Sequence, residues 1–400
     1  MMSTTGAAIA ALLFAAVGLG GLLLSVLSFA IAASALRRHR RKSRGSARSP
    51  FLPPISIVKP LSGLDDELAR NLESFYRLDY PEFELVFSFA RESDPAFAVA
   101  RRAADAHPDI RTVFVVDPRE AGLNAKVNRL AAGVRRARHA YFLFSDGNVH
   151  VERDFLRRAI SFFEDPRVGL VSNLFAAAGA VTLASKVESL HLNGFLQAGT
   201  AFLVEALGRT CVVGKSILMS REALNAIGGF APLQDHLAED FLLGEKTREA
   251  GFAVRLSADE VDTAEVGKSA RSAWSRHRRW AILRVRLGGL SYSSELLASP
   301  ALWFAAAVSG AALIGGRAGI GIACAGATLW GARIAVEARL AADAGRTLSA
   351  SDLPIVVIRD VAVAALFWAG LLGRRTRWRG RELSVGAGTL LRPVGRRVLA

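Results

Sequence analysis

The stretch Tyr141-Phe142-Leu143-Phe144-Ser145-Asp146-Gly147-Asn148-Val149 decides how the chain is interpreted. Its aromatic and aliphatic residues predict a buried strand that ends abruptly on Asp146. In an open α/β sheet, ligands bind where strands end. Gly147 leaves room for a diphosphate and a divalent cation, and the two-residue period of a strand turns Asn148 to the same side as Asp146. A plain Asp-Gly turn is the alternative.

The composition of the 400-residue chain indicates a membrane protein. Hydrophobic residues make up 51% of it and the mean hydropathy is +0.28, which is too apolar for an ordinary soluble enzyme. The formal net charge is +15, and the basic residues cluster beside apolar segments. Anionic lipid headgroups are therefore a simpler partner than nucleic acid. Cys211 and Cys324 provide neither a disulfide framework nor a zinc site.

The N-terminal residues 1–36 predict a membrane anchor. Residues 6–36 contain no charged residue and no proline, and they exceed the roughly 20 residues that a spanning helix needs. A dense basic run then opens a linker, residues 37–53. By the positive-inside rule, the N-terminus lies outside the cytosol and the chain from Arg37 onward lies within it.

Residues 54–290 predict one cytosolic α/β domain, because short apolar strands alternate with amphipathic helices. This alternation is typical of a mostly parallel, doubly wound sheet. The predicted strands are residues 55–58, 84–89, 112–116, 141–145, 169–173 and 212–219. The predicted helices are residues 65–75, 95–107, 124–136, 153–163 and 221–227. Residues 180–207 are apolar and lightly charged, which suits a core helix, an interfacial helix or a wall of a lipid-accepting groove.

Residues 291–400 predict a second membrane region with a basic tail. Residues 296–332 are apolar except for Arg317, so we expect a tight helical hairpin with Arg317 at its far turn. A third apolar segment, residues 353–373, is interrupted by Arg359 and Asp360. The tail indicates a cytosolic C-terminus and an even number of crossings, which leaves a re-entrant or interfacial course open for this segment. The tail arginines are Arg374, Arg375, Arg377, Arg379 and Arg381.

Acids also stand at the ends of other predicted elements. Asp94 follows the second strand, where it either accepts a hydrogen bond from a base edge or caps the helix that begins at Pro95. Glu239 and Asp240 begin an amphipathic helix, where acids also favour the helix dipole. A basic helical segment, residues 276–280, leads towards the membrane, and a snorkelling helix with an aromatic anchor is its alternative.

Several stretches in one order carry a resemblance to a known family. They are Ile57-Val58-Lys59-Pro60-Leu61-Ser62-Gly63, Asp94-Pro95-Ala96, Gly122-Leu123-Asn124-Ala125-Lys126, Asp146-Gly147-Asn148, Val212-Val213-Gly214-Lys215-Ser216, Ala238-Glu239-Asp240 and Arg276-x-x-Arg279-Trp280. Over about residues 54–290, the chain resembles the ceramide glucosyltransferase family. These are membrane-bound, non-processive, inverting, family-2-like enzymes with a GT-A catalytic domain, so the resemblance implies that fold.

The resemblance also implies a role for each matching residue, with Asp240 as the general base. The nucleotide-sugar site that it implies consists of Lys59, Asp94, Lys126, Asp146, Arg276, Arg279 and Trp280. Asp146 and Asn148 would hold Mg²⁺ or Mn²⁺. Many members carry a second acid where this chain has Asn148, so we expect this chain to hold the metal less tightly.

The implied function is transfer of a sugar from a UDP-sugar, UDP-glucose first, to a hydroxyl of a membrane lipid, ceramide first. The protein would be a multi-pass inner-membrane protein with a cytosolic catalytic domain and no nucleic-acid partner. A hopanoid N-acetylglucosaminyltransferase, or another lipid glycosyltransferase of the same fold, is the alternative. From a different class, a non-catalytic basic membrane adaptor would need no acids at strand ends.

Overall fold

The structure is a computed structural model that describes residues 4–296, 299–378 and 381–394. The described chain divides into two compact units. The helical unit draws on the ranges Met1–Arg38, Lys186–Phe202 and Ala270–Gly373. The sheet unit draws on His39–Ser185, Leu203–Ser269 and Arg374–Ala400. Arg379 of the basic tail lies outside the described residues.

The strands all belong to the sheet unit. They are β1 (Ile55–Pro60), β2 (Phe83–Phe89), β3 (Thr112–Val116), β4 (Tyr141–Ser145), β5 (Val149–His150), β6 (Val168–Ala178), β7 (Ser216–Ser220), β8 (Ala253–Ala264), β9 (Arg375–Trp378), β10 (Arg381–Val385) and β11 (Leu391–Pro393).

The helices are shared between the two units. They are α1 (Thr4–Lys42), α2 (Leu68–Tyr76), α3 (Pro95–Asp105), α4 (Ala125–Val134), α5 (Phe155–Ser161), α6 (Leu183–Leu190), α7 (Gln197–Glu205), α8 (Arg221–Ala226), α9 (Glu239–Glu249), α10 (Ala270–Gly288), α11 (Pro300–Ile314), α12 (Gly316–Ala342) and α13 (Leu353–Leu371).

In the described part of the sheet unit, eight strands form one sheet in the order β3-β2-β1-β4-β7-β6-β8-β5. The pairs β1–β2, β1–β4, β2–β3 and β6–β8 are parallel. Strand β7 runs antiparallel to β4 and β6, and β5 runs antiparallel to β8. The expected mostly parallel α/β sheet is confirmed. Because β1 to β4 are mutually parallel, their carboxyl ends meet at one edge of the sheet.

Helix α4 packs against the centre of this sheet and is positioned by it. Val127 and Leu130 of α4 share a buried hydrophobic cluster with Val58, Phe142 and Phe144 of the adjoining strands. Burial of such side chains contributes about 1.5–3 kcal/mol each relative to exposure. The packing fixes the N-terminal turn of α4 above the carboxyl ends of β1 and β4.

Two predicted strand boundaries differ from the observed ones. The predicted strand over residues 169–173 extends to Ala178, and the predicted strand over residues 212–219 begins only at Ser216. Backbone groups of residues 213 and 214 bond to side chains instead of a neighbouring strand: Val213 N donates to Ser172 Oγ at 2.8 Å, and the Gly214 oxygen accepts from Lys126 Nζ at 3.0 Å. At residues 213 and 214, hydrogen bonds to side chains therefore replace the backbone hydrogen bonds of a β-sheet.

Within the described part of the predicted basic tail, three strands form a second, antiparallel sheet in the order β11-β10-β9. Thr376, Leu383, Val385 and Leu391 point inward and are buried. Arginines lie between these buried residues and make the segment strongly basic. The two-residue alternation of a strand is therefore weak in the sequence, which predicts only a basic tail.

Within the described residues, three helices are long and apolar enough to cross a membrane: Gly6–Lys42, Gly316–Ala342 and Ala350–Leu371. A fourth candidate is the bent pair Ala270–Leu296 with Pro300–Ile314. The N-terminal helix continues through the basic run to Lys42, so the expected linker begins as helix. These helices support a membrane protein.

The expected helical hairpin is present and consists of α11 and α12. The chain reverses at Gly315, whose φ is +69°, and Arg317 lies in the first turn of α12. A Cβ added at Gly319 would meet Ala311, and one at Gly326 would lie 3.3 Å from Phe304, so the two helices run antiparallel in close contact.

The charges that interrupt the third apolar segment pair with those of α12, all within the helical unit. Arg359 Nη2 donates to Glu337 Oε2 at 3.0 Å and to Asp360 Oδ1 at 2.7 Å. Arg333 Nη1 lies 3.2 Å from Glu337 Oε2, and Trp330 Nε1 donates to Asp360 at 2.9 Å. Because the charges compensate each other, α13 remains one continuous apolar helix.

Residues 180–207 form α6 and α7, which are joined by a π-helical turn at His191–Leu196. The middle of this stretch, Lys186–Phe202, belongs to the helical unit, whereas its two ends belong to the sheet unit. The stretch is therefore helical on both sides of the π-helical turn, and its part as a wall of a lipid-accepting groove stays a prediction.

Candidate active site

The carboxylate of Asp146 stands at the end of β4 among lysines. Its Oδ1 lies 3.0 Å from Lys126 Nζ, and its Oδ2 lies 3.3 Å from Lys215 Nζ. Burial raises the pKa of Asp146, but the two ammonium groups outweigh burial and lower it to about 2. Asp146 is thus ionised at every physiological pH.

Lys59, on β1, forms hydrogen bonds to the last residue of β4 and to the residue that follows it. It is fully buried, with its Nζ 3.6 Å from the centre of the Phe75 ring. The Nζ donates to the Asp146 carbonyl oxygen at 2.9 Å and to Ser145 Oγ at 3.1 Å. Burial lowers the pKa of Lys59 to about 7. The structure places Lys59 beneath the strand end, and its contact with a nucleotide sugar stays a prediction.

Asn148 and Asp146 both contact the ammonium group of Lys215. The Oδ1 of Asn148 accepts from Lys215 Nζ at 2.9 Å, and its Nδ2 donates to Thr263 Oγ1 of β8 at 2.9 Å. The expectation that Asn148 turns to the same side as Asp146 is confirmed. Within residues 4–296, 299–378 and 381–394, no group of three or more His, Cys, Asp or Glu side chains could hold a metal ion.

Lys126 links three elements of the site. The side chain of Asn124 caps α4, which puts Lys126 in the first turn of that helix. The Lys126 Nζ lies 3.0 Å from Asp146 Oδ1 on β4 and 3.2 Å from Glu239 Oε1 on α9. Burial opposes the charge of Lys126, but the carboxylates of Asp146, Glu239 and Asp240 raise its pKa well above the usual range.

Asp240, in the first turn of α9, faces the same small pocket as Lys126 and Gly214. Its Oδ1 accepts from Phe241 N at 2.8 Å. A Cβ at Gly214 would lie 2.7 Å from Asp240 Oδ2, so only glycine allows this approach. Burial first, and the neighbouring charge of Glu239 second, raise the pKa of Asp240 to about 6. A carboxylate with this pKa is mostly ionised at pH 7 yet is a better proton acceptor than an exposed one.

Two residues of this site were missed by the sequence analysis as functional groups. Glu239 accepts from Asn124 Nδ2 at 3.1 Å with the oxygen that Lys126 does not use, so both its oxygens are engaged. Lys215 bridges Asp146 and Asn148. The signal for Lys215 was present, because Gly214-Lys215-Ser216 is one of the stretches that carry the family resemblance.

Asp94 lies at the same edge of the sheet but acts as a helix cap. Its Oδ1 accepts from Ala96 N at 3.0 Å in the first turn of α3 and from Gly63 N, just after β1, at 2.8 Å. The capping alternative is therefore confirmed. Contact with a nucleotide base stays a prediction.

Arg276, Arg279 and Trp280 lie on α10 in the helical unit and not in the sheet unit. Arg276 pairs with Glu188, and its guanidinium lies 5.7 Å from the centre of the Trp280 ring. His277 Nε2 lies 2.8 Å from the same glutamate. The part that these α10 residues play in donor binding stays a prediction.

Comparison with known proteins gives a consistent result. The model of the family described as glycosyl transferase family 21 matches residues 21–391. Two curated relatives from Caenorhabditis elegans are similar in sequence. Ceramide glucosyltransferase 1 is 28% identical over 239 residues, which is 60% of this chain and 51% of the relative. Ceramide glucosyltransferase 3 is 26% identical over 260 residues, 64% of this chain and 55% of the relative. The chain thus spans about half the length of these relatives.

A solved structure is similar in fold. It is the mannosyltransferase PcManGT from Pyrobaculum calidifontis in complex with GDP-Man and Mn²⁺, which is 20% identical to this chain. The similarity covers 92% of this chain and 99% of the other, with a TM-score of 0.50. The expected GT-A architecture of the sheet unit is confirmed.

Proposed function

We propose a specific reaction on the premise that this chain belongs to glycosyl transferase family 21. The reaction is transfer of a sugar from a UDP-sugar to a hydroxyl of a membrane lipid, with inversion at the anomeric carbon. UDP-glucose is the first donor and ceramide the first acceptor, because the curated relatives are named ceramide glucosyltransferases. The observation that carries the proposal is Asp240, a carboxylate with a pKa of about 6 in a pocket that also contains Lys126.

In this mechanism Asp240 accepts the proton of the lipid hydroxyl as its oxygen attacks the anomeric carbon. The bond from that carbon to the diphosphate breaks, and negative charge develops on the leaving UDP. Lys126 and Lys215 supply positive charge at the strand end, where a diphosphate can approach. Glu239 holds Lys126 at 3.2 Å and so keeps its ammonium beside Asp240.

A divalent cation, Mg²⁺ or Mn²⁺, fits the donor set at the end of β4. The oxygens of Asp146 and Asn148 already converge on one positive charge, the Lys215 ammonium, at 3.3 and 2.9 Å. Mg²⁺ is commonly held by one or two protein carboxylates together with substrate phosphates. Asp146 and Asn148 would hold the ion, and it would neutralise charge on the diphosphate. The Mn²⁺ named with PcManGT supports this assignment.

Lys215→Met is expected to tighten Mn²⁺ binding, because it removes the positive charge that shares the two oxygens with the metal. In the absence of nucleotide, the Mn²⁺ concentration at half-saturation should fall by roughly 3- to 30-fold. Electron paramagnetic resonance of free Mn²⁺ measures this without turnover. Lys246→Met is the matched control, because it removes a lysine of α9 that lies about two turns after Asp240. Weaker Mn²⁺ binding in Lys215→Met would show that the metal does not use this oxygen pair.

The proposed location is the inner membrane, with the sheet unit in the cytosol. The basic end of α1, from His39 to Lys42, supports this orientation. The sheet unit contains chain on both sides of residues 270–373, which supports an even number of membrane crossings over this range. A cytosolic site is where nucleotide sugars are available.

The full chain, expressed in a host that makes both ceramide and hopanoids, tests function and orientation together. Inverted membrane vesicles should release UDP from added UDP-glucose and accumulate glucosylceramide by lipid mass spectrometry. Sealed right-side-out vesicles should not. A glycosylated hopanoid would favour the alternative acceptor. Lack of UDP release from every donor and lipid supplied would favour the non-catalytic adaptor, and activity only in right-side-out vesicles would reverse the orientation.

A further inference from the structure

The four residues before the acidic pair of α9, residues 235–238, are held by the C-terminal part of the sheet unit. We call residues 387–391 the C-terminal clasp. Leu391 N donates to the Asp235 oxygen at 2.7 Å, and Leu237 N donates to the Thr389 oxygen at 3.0 Å. Ala238 N donates to Thr389 Oγ1 at 3.3 Å. The clasp thus bonds the backbone up to the residue before Glu239.

Thr389 is held tightly in this arrangement. It is fully buried, and its φ of +64° lies in the left-handed region that a β-branched residue rarely adopts. Such a conformation persists only where the surrounding contacts determine it, and it clusters at functional sites. Both polar groups of Thr389 that face residues 235–238 are hydrogen-bonded, which is consistent with that constraint.

The opposite side of residues 235–238 contacts the beginning of α4. Asn124 Nδ2 donates to the His236 oxygen at 2.7 Å, and Leu123 N donates to Asp235 Oδ1 at 2.8 Å. The same Asn124 caps α4, which carries Lys126. Residues 235–238 therefore lie between the clasp and the helix that contributes Lys126 to the site.

A further link joins the strand before the clasp to the loop before α4. Arg381, at the start of β10, forms an ion pair with Glu120. The C-terminal sheet thus contacts both loops that lead into the site, the one before Lys126 and the one before Asp240.

We propose that the C-terminal clasp positions the general base, with Thr389 as a positioning residue that fixes Asp240 through residues 237 and 238. The inference rests on the proposed function, because it presumes that Asp240 is the base. Without the Thr389 hydroxyl, Ala238 N loses its acceptor and the first turn of α9 gains freedom. Small displacements of a catalytic group reduce the rate far more than they reduce binding of a substrate that it does not touch.

The test uses the full chain and the variant Thr389→Val, which keeps the shape and the strained φ but removes the hydroxyl. We expect kcat to fall by roughly 3- to 30-fold while the dissociation constant of UDP changes by less than about twofold. The decrease of kcat/KM at low pH should begin at a lower pH than in wild type. A more mobile Asp240 carboxylate is better hydrated, and hydration favours its ionised form. Hydrogen exchange of the Leu237 and Ala238 amides should accelerate.

Two matched variants and one independent measurement make the result decisive. Thr389→Ser retains the hydroxyl and should behave as wild type. Thr376→Val replaces another buried threonine of the same small sheet and should also leave kcat unchanged. Unchanged kcat and exchange in Thr389→Val, or an equal loss in Thr376→Val, would overturn the clasp proposal. Full activity of Asp240→Asn would instead overturn the base assignment, even if amide exchange in Thr389→Val accelerates.

Discussion

Replacement of Asp240 by asparagine is expected to lower kcat by about 10²- to 10⁴-fold, the usual contribution of a general base. Asparagine keeps the shape and still accepts from Phe241 N, a bond that measures 2.8 Å in the wild-type chain. It cannot accept the proton that the proposed mechanism takes from the lipid hydroxyl. The dissociation constant of UDP should change little, because the proposed base acts on the acceptor. Single-turnover kinetics and calorimetric titration with UDP measure the two quantities separately.

The pH profile provides a second readout for Asp240. Because burial raises its pKa to about 6, kcat/KM of the wild-type chain should fall about tenfold per pH unit below pH 6. Ionisation is less favourable in the folded than in the unfolded chain, so this carboxylate destabilises the fold above pH 6 and not below pH 3.8. Asp240→Asn should therefore melt at a higher temperature than wild type at pH 8.

Glu239→Gln is the matched comparison on the neighbouring residue. Gln retains the acceptor for Asn124, whose bond to Glu239 is 3.1 Å, but loses the ion pair with Lys126 at 3.2 Å. We expect a milder loss of kcat than in Asp240→Asn. The reverse ranking, or a large loss of UDP affinity in Asp240→Asn with turnover kept, would assign the base to another residue.

Asp146→Ala is expected to abolish UDP-sugar binding at physiological Mg²⁺ concentration. The variant removes one of the two side-chain oxygens proposed to hold the cation, so the donor diphosphate would lose the positive charge that the cation supplies. It also leaves Lys126 and Lys215 without the carboxylate that lies 3.0 and 3.3 Å from them. Calorimetric titration with UDP-glucose, with Mg²⁺ and with a chelator, measures the effect.

Asp146 also contributes to the stability of the fold. The pKa of Asp146 is lowered to about 2, so its ion pairs stabilise the fold above pH 3.8, and this contribution is lost as pH falls through 2. A modest decrease in melting temperature at pH 7 is therefore expected in Asp146→Ala. Asp146→Asn, which keeps the volume, controls for packing. If Asp146→Ala binds UDP-glucose as tightly as wild type at physiological Mg²⁺ concentration, Asp146 is only a turn residue.

The parts of the site that the sequence predicts are those set by local geometry. The two-residue period of β4 continues past its last residue and places Asp146 and Asn148 on the same side. In the structure both side chains accept a hydrogen bond from the Lys215 ammonium. The capping geometry of Asp94 before Pro95 is equally local, because the cap involves only the first turn of the helix that follows. Local patterns determine which way a side chain points, but not which distant side chain meets it.

The contacts that the sequence did not predict join distant segments of the chain. Lys59 is more than eighty positions from Asp146, and parallel pairing of β1 with β4 buries it beneath that residue. The contact between Lys126 and Glu239 joins two residues that are 113 positions apart in the chain. The C-terminal sheet was missed because arginines on its outer face conceal the buried alternation of Thr376, Leu383 and Val385.

The sheet unit is assembled from three separated ranges of the chain, and this has a consequence for biosynthesis. When a ribosome has completed residue 269, it has made all strands of the eight-stranded sheet together with Asp240. The clasp follows only after residues 270–373, which include candidate membrane helices, have been translated. If the clasp positions the base, the enzyme acquires its full activity only after these helices have been made. A nascent or arrested chain would then leave the cytosolic supply of nucleotide sugar untouched.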